Sequence, residues 1–570
     1  MSMNEVQWDE TVDVVVLGSG AAGMSAALTC HFEGLRALLL EKTDRIGGST
    51  AVSGGAVWIP LNPGSAGAGH GDDTFEQVWE YLRRTVGDAS SPDMLRAYLD
   101  NGPAMVEYLQ ARGALALAAR QYSPDYYPDR PGASLGGRAM DPLPFDGRRL
   151  GAHFKELRDP LKEFVVLGGM MVNVTDVYHL LGAWRSPKSF WHGGKRVLAY
   201  WLDRLRGHHR GTRLLLGNAL AAWLFHAVLR ERIPYRLNTP ARRLHRDAQG
   251  RVVGVEAVQG GTVRRIRALR GVVVATGGFP WDAELRAACY PQPTGPWSMA
   301  PEGNRGEGIG LAREAGAVMG TGHVSPAFWA PVSLWRKADG TVVRYPHLVW
   351  DRAKPGLIAV NRRGERFVNE SASYHEFVSV MYRGGPAPDI PAWLICDHAF
   401  IETWGLGLAL PGGRPRQHLM ADGYLIRAAT MPDLAARLGL DPERLAATVE
   451  RYNGMAARGE DTDFGKGSTA YNRYLGDPAH QPNACLRPLG RGPYYAVEVV
   501  AGDIGTAHGI RTDERARALD AQGRPVPGLF VAGNDMQSVM GGAYPGPGIT
   551  LGPALTFGWV AGRALAADDF

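Results

Sequence analysis

Residues 12–17, VDVVVL, form a β-branched apolar run, and a glycine turn, GSGAAG, follows at once and leads into MSAALTCHFEG, which has helical character. An unalternating run of this kind suits a strand buried on both faces of a parallel sheet. Each glycine then has its own steric duty. Gly18 makes the tight turn, Gly20 admits a close-lying pyrophosphate, and Gly23 lets the helix pack on the strand. Ala21 and Ala22 open the helix, where unpaired N–H groups and the dipole favour an anion. The second strand, ALLLEK, ends in Glu41 and Lys42; Glu41 lies 23 positions after Gly18 (41 − 18), where a carboxylate accepts hydrogen bonds from ribose hydroxyls. This order predicts an α/β fold with a Rossmann-like dinucleotide-binding domain.

Three further segments decide which dinucleotide. RIGGSTAVSGGAVWIP supplies Gly48, Ser49, Thr50, Ser53, Gly54 and Gly55; RGVVVATGGF is a buried strand ending at Gly277; PGLFVAGND is another, ending at Gly533 and Asn534. A nicotinamide domain is usually one contiguous unit, whereas these segments span some 500 residues of the 570. Contacts drawn from both ends of the chain point to FAD.

Composition narrows the remaining classes. A net charge of +5 over 570 residues is too dilute to argue for nucleic acid. The four cysteines, Cys30, Cys289, Cys396 and Cys485, are scattered without a C-x-x-C pair, as expected in a reducing compartment. The adjacent His208 and His209 have no third ligand spaced for a metal. MSMNEVQWDETVD lacks the basic start and apolar core of an export signal, and no apolar run reaches the length of a membrane span. A cytoplasmic protein is expected, with no metal.

By these segments the chain resembles, over nearly its whole length, the flavoprotein family that includes fumarate reductase, the succinate dehydrogenase flavoprotein and the 3-ketosteroid dehydrogenases. The resemblance implies an FAD-binding domain interrupted by an α+β substrate domain: residues 1–315 and 486–570 for the first, with an insertion at about 155–215, and 316–485 for the second. Ser49 and Thr50 stand where respiratory members carry a flavin-linked histidine, which implies non-covalent FAD. GDIGTAHGIRTD offers His508 alone where dicarboxylate-binding members would bring histidines together. Three tyrosine motifs, SPDYYPDRPG, RFVNESASYHEF and GGAYPGPG, look instead like those of the 3-ketosteroid Δ1-dehydrogenases. Carried over, that likeness makes Tyr374 the base and Tyr126 its supporting phenol, with the adjacent Tyr127 as an alternative. Tyr544 and the N–H of Gly548 become the carbonyl clamp, and the helix after them, with Leu551 in its first turn, points at the flavin.

Chemistry supports the same residues. A ketone at carbon 3 acidifies the hydrogens on carbon 2, and two preorganised donors strengthen that effect, each typically worth about 3 kcal/mol in the transition state. A tyrosinate supported by a second phenol, its pKa lowered by that neighbour, takes the proton without burying a carboxylate beside a sterol. Carbon 1 delivers hydride to the flavin. The expected activity is 1,2-dehydrogenation of a 3-ketosteroid, passing electrons to an unidentified acceptor. Alternatives are a Δ4 or other ring-A dehydrogenase, a fumarate-reductase-like enzyme and a flavin-containing sterol-binding protein. In the insertion, KRVLAYWLDRLRGHHRGTR reads as an amphipathic helix ending in Arg204, Arg206, Arg210 and Arg213. It either packs on its own protein or rests on the inner membrane face, where a sterol would enter from lipid.

Overall fold

The β-branched run near the N-terminus becomes the strand Glu10–Leu17 of the computed structural model, which describes residues 6–183, 186–384 and 387–567. Val14, Val15 and Val16 are fully buried, as a strand covered on both faces requires. It pairs in parallel with Ala37–Leu40 on one side and Thr262–Val274 on the other, and Tyr235–Arg236 extends the sheet beyond Ala37–Leu40. Thr262–Val274 divides its partners. Its early half makes an antiparallel hairpin with Val252–Gln259, which carries Ala241–Arg246, while Val272–Val274 runs parallel to Leu529–Val531. The two ends of the chain thus share one sheet.

Steric demands hold the glycine turn in place. Gly18 has φ +101°, and a Cβ there would lie 2.2 Å from the Ala275 oxygen; a Cβ on Gly23 would lie 1.9 Å from the Gly18 oxygen. Neither position tolerates a side chain. The helix Ala21–Phe32 packs on the C-terminal helix Leu551–Ala566 just as closely: a Cβ on Gly558 would meet the Ala22 oxygen at 2.3 Å, and Ser25 Oγ donates to the Leu555 carbonyl at 2.8 Å.

A second, antiparallel sheet runs in the order Val342–Pro346, Ala327–Arg336, Tyr494–Thr506, Ala392–Asp397 and Leu357–Val360, with Ile426–Ala428 also paired to Tyr494–Thr506. Tyr494–Thr506 lies past the boundary expected at residue 485, yet hydrogen-bonds within this sheet. Local sequence does not mark which of two sheets an apolar strand joins.

The insertion folds as the helices Val174–Leu181 and Pro187–Leu205. Its basic cluster is not one patch: Arg210 is buried and pairs with Asp159 at 3.0 Å, Arg213 pairs with Asp176 at 2.8 Å, and Arg204 donates to the His208 carbonyl at 2.9 Å. Carboxylates of the same insertion draw Arg210 and Arg213 inward. Among the described residues no helix is long and apolar enough to cross a membrane.

Candidate active site

The glycine turn, the second loop and the two strand ends converge on one cavity of about 1930 Å³. Gly18, Gly20, Ala21, Ala22, Glu41, Lys42, Gly48, Ser49, Thr50, Ser53, Gly54, Gly55, Gly277, Gly533, Asn534, Gly548 and Leu551 all line it, together with Tyr126, Tyr374 and Tyr544. Gly23 stays behind the wall, packed on Gly18. Ser19 orders the entrance: its N–H and Oγ donate to one Glu41 oxygen at 3.2 and 2.6 Å, while Thr43 N–H and Oγ1 both donate to the other at 2.9 Å. Lys42 is closed by Glu307 at 2.5 Å. Thr50 Oγ1 accepts the Ala21 N–H at 2.9 Å, and Gly20 offers the helix no side-chain cap.

Asp535, at the end of the AGND segment, is central to this end of the cavity. It is fully buried and accepts from Thr276 N–H, from Thr276 Oγ1 at 2.8 Å and from Gly278 N–H at 2.9 Å, tying ATGG to AGND. Burial pushes its carboxyl up, while these donors pull it down. The cleft fits FAD: a Cβ on Gly20 would find nothing nearer than Thr50 Oγ1 at 3.8 Å, and one on Gly54 nothing within 4 Å, leaving room where a pyrophosphate needs bare backbone.

At the other end of this cleft three phenols meet. Tyr126 OH donates to Tyr374 OH at 3.1 Å, and Tyr374 OH donates to Tyr544 OH at 2.7 Å. The rings of Tyr126 and Tyr544 stack with centroids 5.3 Å apart, and Tyr374 stands edge-on to both. Local structure fixes each one. Tyr374 is the first residue of the helix Tyr374–Arg383, whose cap, Ser373, accepts the Glu376 N–H at 3.1 Å. Tyr126 N–H donates to the Pro545 carbonyl at 2.9 Å, fastening its loop to the turn that holds Tyr544. Tyr127 faces elsewhere, its hydroxyl donating to Glu376 at 3.4 Å.

Gly548 has φ +101°, and a Cβ there would lie 2.4 Å from the Ala56 oxygen. Its carbonyl accepts from Trp58 and Gly552 N–H at 3.1 and 2.9 Å; its own N–H has no acceptor among the described residues. The helix begins at Leu551, so this N–H belongs to the turn ahead of the helix and not to its first turn.

Electrostatics depart from expectation. Tyr374 is pushed well above the ordinary phenol range, first by burial and then by Tyr126 and Tyr544, so its neighbours do not lower it in this closed arrangement. Tyr126 and Tyr544 are likewise raised by burial. His375, next to Tyr374, is brought down to about 3 by burial and stays neutral, its Nδ1 accepting the Trp329 N–H at 3.2 Å.

Two further residues escaped sequence reasoning. Tyr471 packs on Tyr126 with ring centroids 4.7 Å apart and lines the cavity. Arg352 is buried and donates to the carbonyls of Glu370 and Ala372, just before Tyr374, at 2.9 and 3.1 Å, and to those of His347 and Leu348 at 2.7 and 2.9 Å. Neither stands in a glycine-rich motif. His508, the expected dicarboxylate candidate, takes no such role here: its Nε2 bonds the Gly320 carbonyl at 2.9 Å, its ring lies against His323, and it does not line the cavity.

A dinucleotide cleft continuous with an apolar wall that carries three hydrogen-bonded phenols defines a flavin-dependent oxidoreductase. The FAD binding domain family matches residues 13–551. The 3-oxosteroid 1-dehydrogenase of Mycolicibacterium smegmatis is 38% identical, over 97% of this chain and 97% of its own length. The 4-oxocyclohex-2-ene-1-carboxylate 5-dehydrogenase of Sinomonas cyclohexanicum is 37% identical, over 97% and 93%. Among solved structures, the 3-ketosteroid delta1-dehydrogenase of Sterolibacterium denitrificans in complex with 1,4-androstadiene-3,17-dione is similar, with a TM-score of 0.90 and 39% identity over 98% of this chain and 100% of that one. The chain belongs to the FAD-binding flavoprotein family of fumarate reductase and the 3-oxosteroid 1-dehydrogenases. Its cofactor is FAD.

The two adjacent tyrosines separate by mutation. Tyr126→Phe removes the hydroxyl bonded to Tyr374 and is expected to slow flavin reduction by about 10-fold or more, whereas Tyr127→Phe stays within about 3-fold of the parent. Stopped-flow reduction of both variants measures the contrast.

Proposed function

We propose that this protein oxidises ring A of 3-ketosteroids, forming the double bond between carbons 1 and 2. The observation that carries the reading is the hydrogen-bonded chain Tyr126–Tyr374–Tyr544, with the Gly548 N–H that has no acceptor among the described residues, on a wall of the cavity that the dinucleotide residues also line. Tyr544 OH and Gly548 N–H grip the ketone oxygen and stabilise the negative charge that develops there. When a ketone binds, Tyr544 turns its proton to that oxygen. Tyr374, once it has lost its own proton, then takes the proton from carbon 2 as the phenolate, which Tyr126 supports by donating its O–H. FAD held by the glycine turn and the AGND segment would supply the acceptor for the hydride that leaves carbon 1.

The length of the apolar wall supports a polycyclic substrate. Beyond the phenols the cavity is lined by Val166, Leu167, Met170, Val177, Leu180 and Leu408. A monocyclic acid such as the one named for the Sinomonas relative shares the ring-ketone chemistry but would leave most of that surface uncovered. The closed phenol cluster favours an enzyme over a binding protein, since an apolar sterol site has no need of a proton chain.

Anaerobic addition of androst-4-ene-3,17-dione is expected to bleach the flavin and to yield the 1,4-diene, with a reduction rate that rises between about pH 6 and pH 9, because a base with a raised pKa gains its active, deprotonated form as pH rises. Unbleached flavin would contradict the reading; a double bond placed elsewhere in ring A would move it to a Δ4-type activity.

The insertion supports a peripheral membrane contact. On the helix Pro187–Leu205, Trp191, Leu198 and Leu205 recur every two turns at 71%, 61% and 82% exposure, with Trp201 and Leu202 between them also exposed. Exposed Lys188, Lys195 and Arg206 flank this stripe, a pattern that suits an anionic lipid surface. Flotation with phosphatidylglycerol-containing vesicles is expected to carry the protein upward, and Leu198→Glu combined with Leu205→Glu to abolish it. Equal flotation of parent and variant would oppose the contact.

A further inference from the structure

Lys354 is an unusual cation of the cavity wall. It follows the turn closed by its N–H on the Asp351 carbonyl at 3.0 Å, and its side chain lines the cavity although the residue is 5% exposed. Its ammonium donates to the Gly476 carbonyl at 2.8 Å and lies 4.8 Å from the Trp404 ring and 5.8 Å from that of Trp350, both of which line the same cavity. Of the other cations that line this cavity, Lys42 is closed by Glu307 at 2.5 Å and Arg120 by Asp141 at 2.6 Å, while Arg158, Lys162, Arg242, Lys337 and Arg414 are less buried than Lys354. Among the described residues no carboxylate pairs with Lys354. Asp477 acts on it from beyond ion-pair distance, and its own oxygen accepts the Ala479 N–H at 3.0 Å.

An ammonium has three donors, and the protein satisfies one of them here. Burying such a group beside two indoles costs free energy that cation–π contact offsets only in part, and burial accordingly pushes its pKa down. An anion arriving through the cavity would complete it. Gly476 closes the helix Ala470–Leu475, whose second residue, Tyr471, packs on Tyr126. Lys354 and the three phenols thus line one cavity, connected through that helix.

We propose that Lys354 is an anion-recognition point for the substrate tail, and that the protein acts on 3-ketosteroids whose side chain ends in a carboxylate. The inference rests on the ring-A reading given above. A charge-assisted bond formed by a desolvated ammonium with a carboxylate would orient the steroid lengthwise, ketone toward Tyr544 and acid toward Lys354. The methyl ester of the same acid keeps the shape but loses the charge.

The test compares 3-oxochol-4-en-24-oate, its methyl ester and androst-4-ene-3,17-dione as substrates of the FAD-loaded protein. The acid is expected to exceed its ester in kcat/KM by about tenfold or more. Lys354→Met is expected to collapse that acid-to-ester ratio toward one, and Lys354→Arg to retain part of it. Equal kcat/KM for acid and ester in the parent protein would overturn the proposal even if no variant folds, as would a ratio that Lys354→Met leaves intact. These outcomes are distinct from failure of the ring-A reading, in which none of the three ketones reduces the flavin.

Discussion

The hydroxyls of Tyr126, Tyr374 and Tyr544 satisfy one another, and the arrangement of the whole site follows from that mutual dependence. All three are buried in an apolar wall, where a hydroxyl left without a partner costs about 1–3 kcal/mol. Their positions in the chain lie 248 and 170 residues apart, so the bonds also record how three remote segments meet. One phenol opens a helix of the second unit, another sits in a loop of the first, and the third lies in the turn before the C-terminal helix. Pro545 joins the last two directly, accepting from Tyr126 N–H at 2.9 Å and from Tyr81 OH at 2.5 Å. Such a site forms only when both sheets are in place.

Its electrostatic character is that of a nearly neutral pocket. His375 is held uncharged, and the phenols are held protonated. Arg352 directs four hydrogen bonds at backbone carbonyls, two of them in the loop that delivers Tyr374. A base that is hard to ionise is also a strong one once ionised, and in the proposed reaction the ketone clamp would supply the compensating acidity at carbon 2. The wall beyond the phenols stays largely apolar, with Lys354 as a buried exception.

Much of the dinucleotide end was legible because backbone contact leaves no alternative to glycine. Gly18 and Gly23 touch other main chain at distances that exclude a Cβ, and the regular spacing of such positions is a property of the sequence itself. Tyr374 and Tyr544 stood out through their motifs. Asp535, Arg352, Tyr471 and Lys354 did not, since each acquires its meaning from a partner far along the chain: Asp535 from Thr276, Arg352 from Glu370 and Ala372, Tyr471 from Tyr126, Lys354 from Gly476. The same limit explains the strand Tyr494–Thr506, whose sheet is chosen by its neighbours, and Arg210 and Arg213 of the insertion, which pair with Asp159 and Asp176. The choice between Tyr126 and Tyr127 is likewise made by three-dimensional contact.

The reactive role of the phenol at the centre of this cluster is tested most directly by single-turnover reduction of the flavin in Tyr374→Phe. The substitution keeps the ring and its packing and removes one oxygen. A fall in the reduction rate of about 100-fold or more, with FAD content and thermal stability near those of the parent protein, is the predicted result. Reduction at the parent rate in that variant would contradict it and leave the proton from carbon 2 to another acceptor.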